Sequence, residues 1–461
     1  MAMGKRKQDR QQELWIAATE MPQAPGHPFY RRLNQRLAEH GLDAFVEGLC
    51  QKFYHEELGR PSVPPGVYFR MRLIGYFEGI DSERGIAWRC DDSRTLGEFL
   101  GCSTAQETPD HSSLSRLRQR MDVETHQEVF TWGLKMLAQK GLLKGKTLGL
   151  DATPLEANAA MRSIIRNDTG EGYHEFLTKL AQAGGIATPS REDLAKIDKK
   201  RKNQASKDDW HNPRDPDARI TKMKDGRRHL AHKAEHAVDL QTGAIVAVTL
   251  QPGDRGDTTS LWTTLAESSE NLRDVADDPR TTEGVKGKII EEAVADKGCH
   301  SNDTCRDLAE VEIRGYVSEP DQGRRDWEAK AQERDAVYAN RRRIRDQRGK
   351  RLRKRGELLE RPFAHCYETG GMRRIHLRGH PNILKRLLVH VAGFNLALVM
   401  RSVYGIGKPR RLQDGLAAAV LGLLDTILAL LGLLGHRWGD LRRLGALAIP
   451  LAPLSAPRRS S

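Results

Sequence analysis

The sequence predicts a mixed α/β fold preceded by an all-α N-terminal region. Three observations carry this. Residues 29–140 hold apolar positions recurring at three and four residues, which is the helical period. From residue 147 onward, short apolar runs alternate with amphipathic ones in the order strand, hairpin, helix, strand, helix, strand, as in a mixed sheet flanked by helices. Two of the apolar runs end on an aspartate, Asp151 after KTLGL and Asp296 after IIEEAVA, as expected where a buried strand delivers a side chain to a sheet edge.

Taken in order, residues 1–28 read as a loose arm. YRRLNQRLAEHGLDAFVEGLCQKFY (30–54) is helical, and Pro64-Pro65 start a second helix, VYFRMRLIGYFEGI (67–80), because proline is tolerated in a first turn. SERGIAWRCDD and RTLGEFLG follow as short helices, and Ser112 or Ser113 can cap the helix after Pro109-Asp110-His111. Several short helices with a basic segment suit a helix-turn-helix reader of DNA; a helical cap packed on the core is the plainer alternative. Residues 141–405 form the α/β domain. Its first strand covers 147–151. Residues 160–228 are polar with little apolar periodicity and read as an insertion or long mobile loop. HLAHKAEHAVDL and IVAVTLQP around Thr242-Gly243 make a hairpin. Residues 258–276 are a helix, KIIEEAVAD a strand, NDTCRDLAEV a helix and EIRGYVSE a strand. Residues 382–405 form an apolar helix that packs on the sheet. Residues 406–461 read as a C-terminal helical tail. Within it Gly415–Gly435 is almost wholly apolar, but Asp425 near its centre costs about 2.5–3.5 kcal/mol in a membrane, so a packed or self-associating helix is expected and no membrane partner.

Composition narrows the function. Lys and Arg number 75 against 62 Asp and Glu, giving a net charge of +13, a balance that favours a polyanionic partner such as nucleic acid. The six cysteines form no C-x-x-C pair, which argues against a zinc ribbon and for reduced thiols in the cytoplasm. The N-terminus is charged and lacks the apolar stretch of a signal peptide.

The candidate chemistry lies in three carboxylates: Asp151, Asp296 and Glu360, the last in RGELLERPFAH (355–365). Such a trio can hold two Mg²⁺ ions about 3.5–4 Å apart for in-line phosphoryl transfer, and hard oxygen ligands suit Mg²⁺. Glu357 lies three residues before Glu360 on nearly the same helix face and is the alternative third carboxylate. ANRRRIRDQRGKRLRKRG (339–356) carries ten Arg or Lys and includes Arg341, Arg342 and Arg343; contact with phosphates competes there with a solvated helix face. His229, His232 and His236 form H-x-x-H-x-x-x-H, but on a strand 229 points away from the other two, so histidines lining a polar edge are expected rather than zinc ligands. Asp254 and Asp257 follow the hairpin and read as solvated loop residues or as helpers of metal or DNA. Lys297 and His300 flank Asp296 within reach of phosphate. Trp210 and Trp327 either stack on a base or pack.

The pieces LGLDATPLEANA, HKAEHAVDLQTGAIVAVTLQ, VADKGCHS and ERPFAH…TGGMRRIHLRG…KRLLVHVAGFNLALVMR, with TPDHSSLSRLRQRM upstream, span roughly residues 30–405. In order and spacing they resemble bacterial insertion-sequence transposases of the DDE class. The resemblance implies an RNase H-like core. Its first aspartate lies on the central strand of five, the second just past the neighbouring strand and the glutamate on a later helix, matching Asp151, Asp296 and Glu360. It implies Mg²⁺, with Mn²⁺ as a substitute. Its partners would be double-stranded DNA, both terminal inverted repeats and target, bound by a homodimer or higher assembly in the cytoplasm at the nucleoid. Cleavage would leave a 3′-OH that attacks target DNA without a covalent protein intermediate. The chain departs from the pattern where relatives place a Tyr, an Arg and a Lys around the glutamate. Arg353, Gly356 and Tyr367 stand there, so basic contacts are expected from Arg361, His365, Arg373, Arg374 and Arg378. Two other readings compete: a tyrosine recombinase using Arg386, His380 and Tyr404, and a DNA-binding protein without catalysis, such as a decayed transposase acting as a repressor.

Overall fold

The computed structural model describes residues 26–55, 59, 62–103, 106–200, 207–223, 226–281, 285, 290–321, 323, 325–347 and 349–410. The expected arm at 1–28 and the apolar 415–435 segment fall wholly or almost wholly outside these residues.

Seven helices come first: α1 (Pro28–Glu39), α2 (Leu42–Cys50), α3 (Pro65–Glu78), α4 (Glu83–Asp91), α5 (Arg94–Leu100), α6 (His111–Arg120) and α7 (Val123–Gln139). α3 opens with Pro65 in its first turn, where the missing N–H has no helical partner to lose. The cap of α6 is Asp110 rather than either serine: its Oδ1 accepts from Ser113 N at 2.7 Å, and Ser112 Oγ donates to Oδ2. The helix therefore starts at His111, and both serines already lie inside it.

The sheet follows. β1 (Thr147–Glu156) is ten residues long, twice the expected strand, because it continues past Asp151 along β5 (Arg228–Asp239) as far as Glu156↔Ala231. β6 (Ile245–Pro252) pairs antiparallel with the other edge of β5. β7 (Glu292–Ala295) and β8 (Arg314–Val317) extend the sheet on the far side of β1, both parallel to it in sequence. The strand order is thus β6-β5-β1-β7-β8, with β1 central, antiparallel pairing on the β5 side and parallel pairing on the other; a sixth strand, described below, also pairs with β5. α10 (Asp257–Ala276) and α11 (Asn302–Glu310) make the connections, and α12 (Ala331–Asp346), α13 (Lys350–Phe363) and α14 (His380–Tyr404) are the last helices among the described residues.

The segment at 160–228 contains more structure than its composition suggested. β2 (Ile165–Arg166) pairs with β3 (Trp210–His211), β4 (Arg219–Lys222) adds to the edge of β5, and α8 (Tyr173–Ala183) packs with α9 (Arg191–Lys200). Trp210 is buried, edge-on to Tyr173 and Phe176 with ring centroids 5.1 and 5.4 Å away. A few widely spaced aromatics therefore build this small core, and such spacing leaves no period to detect. A buried Asp215–His232 pair (3.1 Å) ties the segment to β5, and Gly379 N donates to the same aspartate at the start of α14.

The helices and the sheet share one apolar core. α14 joins them, packing against α3, α7 and β6. Among the described residues it is the one helix long and apolar enough to cross a membrane, yet 89 % of its apolar window is buried inside the protein. A helix apolar on all sides is what the centre of a large core requires.

Candidate active site

Strand register brings the two predicted aspartates together. Gly149 on β1 faces Val294 on β7 in the parallel ladder. Asp151 and Asp296 each lie two residues further along, so they leave adjacent strands, about 4.8 Å apart, on the same face. Asp296 then caps a single turn, its Oδ1 accepting from Gly298 N at 2.9 Å. Asp151 is one-third exposed and accepts from its neighbour's amide, Ala152 N, at 2.9 Å. Burial pushes the Asp151 carboxyl above its usual range; the Arg355 guanidinium opposes that shift, and the negative charges of Asp296 and Asp257 add to it.

Two flanks close on Asp151. On one, α13 lays Arg355 and Leu359 against β1. Leu359 packs over Gly149, where an added Cβ would stand 3.2 Å from Leu359 Cδ1, and Arg355 Nε donates to Leu150 O at 2.8 Å. Arg355 Nη2 lies 3.0 Å from Asp151 Oδ2, buried and without an aligned hydrogen bond. On the other flank, Asp257 begins α10. A Cβ at Gly298 would overlap Asp257 Oδ2 and lie 3.2 Å from Asp296 Oδ1, so only glycine lets the two carboxylates approach across this turn. Lys233 of β5, buried, pairs with Asp257 Oδ1 and donates to Ser260 Oγ (2.9 Å) and Arg255 O (3.0 Å).

Neither predicted glutamate joins this group. At about 100° per residue, the buried positions Arg355, Leu359 and Pro362 define one stripe of α13. Glu357 lies diametrically opposite the stripe and pairs with Arg361 on the surface. Glu360 lies about 130° round the helix from the centre of the stripe and is exposed. Helix geometry thus turns both glutamates away from the sheet. Among the described residues no three His, Cys, Asp or Glu side chains stand close enough together to hold a metal ion as they are placed. Asp151 and Asp296 offer carboxylate oxygens, and a positive charge, Arg355, already lies against Asp151.

The predicted basic contacts divide. Arg341 forms two hydrogen bonds of 2.6 Å to Glu319, and Arg343 donates to Gly315 O at 3.0 Å; Arg342 is an exposed residue of the same helix. The basic run is broken at Gly349, with φ +67°, between α12 and α13, and within it Arg351 reaches Glu292. It is therefore not one continuous phosphate-facing stripe. Arg373, Arg374 and Arg378 instead run beside the end of β1. Arg373 O accepts from Glu156 N and Ile375 N donates to Glu156 O, while Arg373 Nη1 reaches Thr153 Oγ1 at 3.2 Å and pairs with Glu368. His365 lies 2.6 Å from Lys408, and burial together with that charge holds its imidazole down to about 4.

Two residues of this site escaped sequence reasoning, Arg355 and Lys233; His236, read from the sequence as a histidine on a polar edge, is buried, and its Nε2 meets Tyr367 OH at 2.6 Å directly across from Asp151. The available signal was polar residues in a strand that is buried on both faces, since Lys233, Glu235 and His236 interrupt an otherwise apolar hairpin. The alternative trio of Arg386, His380 and Tyr404 does not assemble. Arg386 and Tyr404 are separated along α14 by about 27 Å at 1.5 Å per residue, Arg386 is buried against Asp81 O, and Tyr404 OH accepts from Arg36.

The family model described as a transposase domain (DUF772) matches residues 20–120, which include α1–α6. The match supports a transposase. It falls on the helical region and so speaks to transposition and to DNA as partner, leaving the chemistry to the sheet. Comparison with curated proteins and with solved structures finds no match.

Proposed function

We propose that the chain is a DDE-class DNA transposase with an RNase H-like core, which binds the terminal inverted repeats of an insertion sequence and cleaves and transfers DNA strands. The observation that carries the reading is the side-by-side delivery of Asp151 and Asp296 from neighbouring parallel strands, with β1 central in the order β6-β5-β1-β7-β8. The match of the helical region to a transposase domain supports it independently.

On this reading Asp151 and Asp296 hold Mg²⁺, or Mn²⁺ in its place, and Glu360 of α13 is the third carboxylate, with Glu357 the alternative. The bound ions would supply activation of the attacking hydroxyl and stabilisation of the leaving oxygen. The protein supplies position: β1 and β7 fix the two aspartates on a rigid sheet, Leu359 seats α13 on Gly149, and Arg373, Arg374 and Arg378 offer cations along the end of β1 where a phosphate backbone would run. Arg361 and the Arg341–Arg343 group would add cations to that surface, and His365, neutral, a hydrogen-bonding group. A second copy on the other DNA end completes the assembly.

The test is strand cleavage of a supercoiled plasmid carrying the element's own ends, in Mg²⁺ or in EDTA, for wild type and Glu360→Ala. Mg²⁺-dependent nicking at the ends, lost in the variant, is the expected result. Nicking that persists in EDTA would overturn the reading.

A further inference from the structure

A ladder of aromatic rings and guanidinium groups stands at the β8 side of the sheet. It begins with Arg325, whose guanidinium carbon lies 5.7 Å from the centroid of the Trp327 ring. Trp327 packs on Cys305, Ala336 and Val337, and its ring centre is 6.0 Å from that of Tyr338. Arg341 in turn lies over the Tyr338 ring at 5.1 Å. Glu319 joins the two ends of the ladder, 2.6 Å from Arg325 Nη2 and from Arg341 Nε and Nη2. Tyr338 is thereby fixed in place, yet 40 % of it stays exposed. A solitary exposed apolar side chain is ordinary. A ring braced by two neighbours and left open is a preformed contact surface, with little ordering left for a ligand to impose.

The surroundings identify the partner. At about 100° per residue, Arg334, Tyr338, Arg341, Arg342 and Arg345 fall on one face of α12, turned away from the buried stripe of Ala336, Val337 and Asn340. All five are exposed. With Arg325 they set five guanidinium groups against three carboxylates, Glu319, Asp335 and Asp346, so the face is net positive. The pairs of Arg334 with Asp335 and of Arg345 with Asp346 are exposed, and such pairs are weak enough to yield to a phosphate. Cations interleaved with an aromatic ring suit a nucleic-acid strand, the cations taking phosphates and the ring a base. In a duplex the faces of the bases are hidden in the stack, so the ring fits a strand whose bases are unpaired.

The same face adjoins the candidate active site. Asn340, between Tyr338 and Arg341 in sequence, exchanges two hydrogen bonds with Val317 at the end of β8, of 3.0 and 2.9 Å. Val317 is level with Ala295 in the parallel ladder, and Asp296 follows. Arg325 Nη1 also donates to Asn302 Oδ1 at 2.6 Å, at the start of α11. The charges of Arg325, Glu319 and Arg341 all act on His300, close behind Asp296 in the chain.

We infer that Tyr338, braced by Trp327 and Arg341, stacks on an unpaired base of single-stranded DNA beside the active site, with Arg334, Arg342 and Arg345 on its phosphates. The inference rests on the DNA-cleaving reading above and adds a place for the strand once its bases are unpaired.

The test is fluorescence anisotropy of a short labelled oligo-dT strand and of a labelled blunt duplex of equal length, with the full chain as wild type, Tyr338→Ala and Tyr338→Phe, and melting temperatures alongside. Tyr338→Ala is expected to weaken the single strand on the order of tenfold, the worth of one stacked base, and to leave duplex affinity unchanged. Tyr338→Phe keeps the ring and should keep the affinity. A strand carrying 2-aminopurine supplies a readout that a merely structural role would not move: wild type and Tyr338→Phe should quench its fluorescence, and Tyr338→Ala should not. Undiminished affinity and quenching in Tyr338→Ala would overturn the inference. So would an equal loss on both DNAs, which would mark a basic surface without stacking, or a wild-type chain that does not bind the single strand. None of these touches plasmid nicking in Mg²⁺, which decides the cleavage reading separately. Nicking that persists in EDTA, with the Tyr338-dependent quench intact, would overturn that reading alone.

Discussion

The two flanks of β1 carry opposite chemistry. On the β7–α10 side, Asp296 and Asp257 converge across Gly298. On the α13 side, the group that touches Asp151 is a guanidinium, and the carboxylate on that helix faces outward. The difference teaches that register can place a side chain that a helix of the same sequence cannot. Parallel pairing of β1 and β7 up to Gly149↔Val294 brings the two strand ends level, and Asp151 and Asp296 follow two residues beyond it. Round α13, Arg355 and Glu360 stand about 140° apart, so with Arg355 seated on the sheet Glu360 faces away from it.

The sharpest way to break this contrast is to remove the residue both flanks share. Asp151→Asn keeps the shape of the side chain and removes the charge that Arg355 faces. Strand cleavage should fall on the order of 10³-fold or more, as for groups that act as a unit, while duplex binding is retained. Loss of binding along with cleavage would mean that Asp151 holds the fold rather than the chemistry. Gly298→Ala comes next. The added methyl overlaps Asp257 Oδ2 and crowds Asp296, so it drives the two carboxylates apart without altering any charge. Cleavage should fall about 10–100-fold, the range for residues that orient a metal site, with Arg355 and the basic rim unaffected. Wild-type cleavage in Gly298→Ala would show that the α10 side is not part of the site.

The basic side is sharpened by a comparison within it. Arg373, Arg374 and Arg378 line the end of β1, with Arg373 on Glu368 and Arg374 3.9 Å from Glu156, whereas Arg341 and Arg343 lie on another helix, held by Glu319 and Gly315 O. Replacing the first three with Gln should reduce the slope of log K against log salt by up to about 2.7, at about 0.9 per phosphate contact. Replacing Arg341 and Arg343 should change the slope by less than half that and lower the melting temperature instead. Equal slopes from the two sets would erase the distinction.

Much of this was legible in advance, for a physical reason. Periods of two and of three to four residues survive in any buried strand or amphipathic helix, so β1, β5, β6, α10, α11 and α14 could be read from the chain, as could an aspartate closing each of two apolar runs. What could not be read depends on distance between remote segments. Arg355 sits within a basic run whose composition gives no hint that one member is buried on Leu150 O. Lys233 and Asp257 lie 24 residues apart, and nothing local pairs them. The 160–228 segment was missed because Tyr173, Phe176 and Trp210 make a core from three scattered aromatics rather than from a periodic face.

The smallest expected effect concerns the support beneath Asp151. His236 faces Asp151 across the β1–β5 ladder, and burial holds its imidazole down to about 3; His126, in the helical region, is likewise held at about 3. Both are therefore neutral in the folded protein at neutral pH, and His236 adds no charge to either flank. The linkage has a definite sign. Between pH 3 and the ordinary imidazole range near 6.5, the unfolded chain takes up a proton that the folded chain refuses, so stability is full above that range and falls as pH drops through it. Each such histidine contributes up to about 1.4 kcal/mol per pH unit. Urea unfolding from pH 7 to pH 4 should show the fall, and His236→Phe should make it shallower by one proton's worth, after a loss of about 1 kcal/mol at pH 7 from the missing bond to Tyr367. An unchanged slope would mean that His236 becomes charged beside Asp151, which would place a cation on the sheet itself and dissolve the contrast between the two flanks.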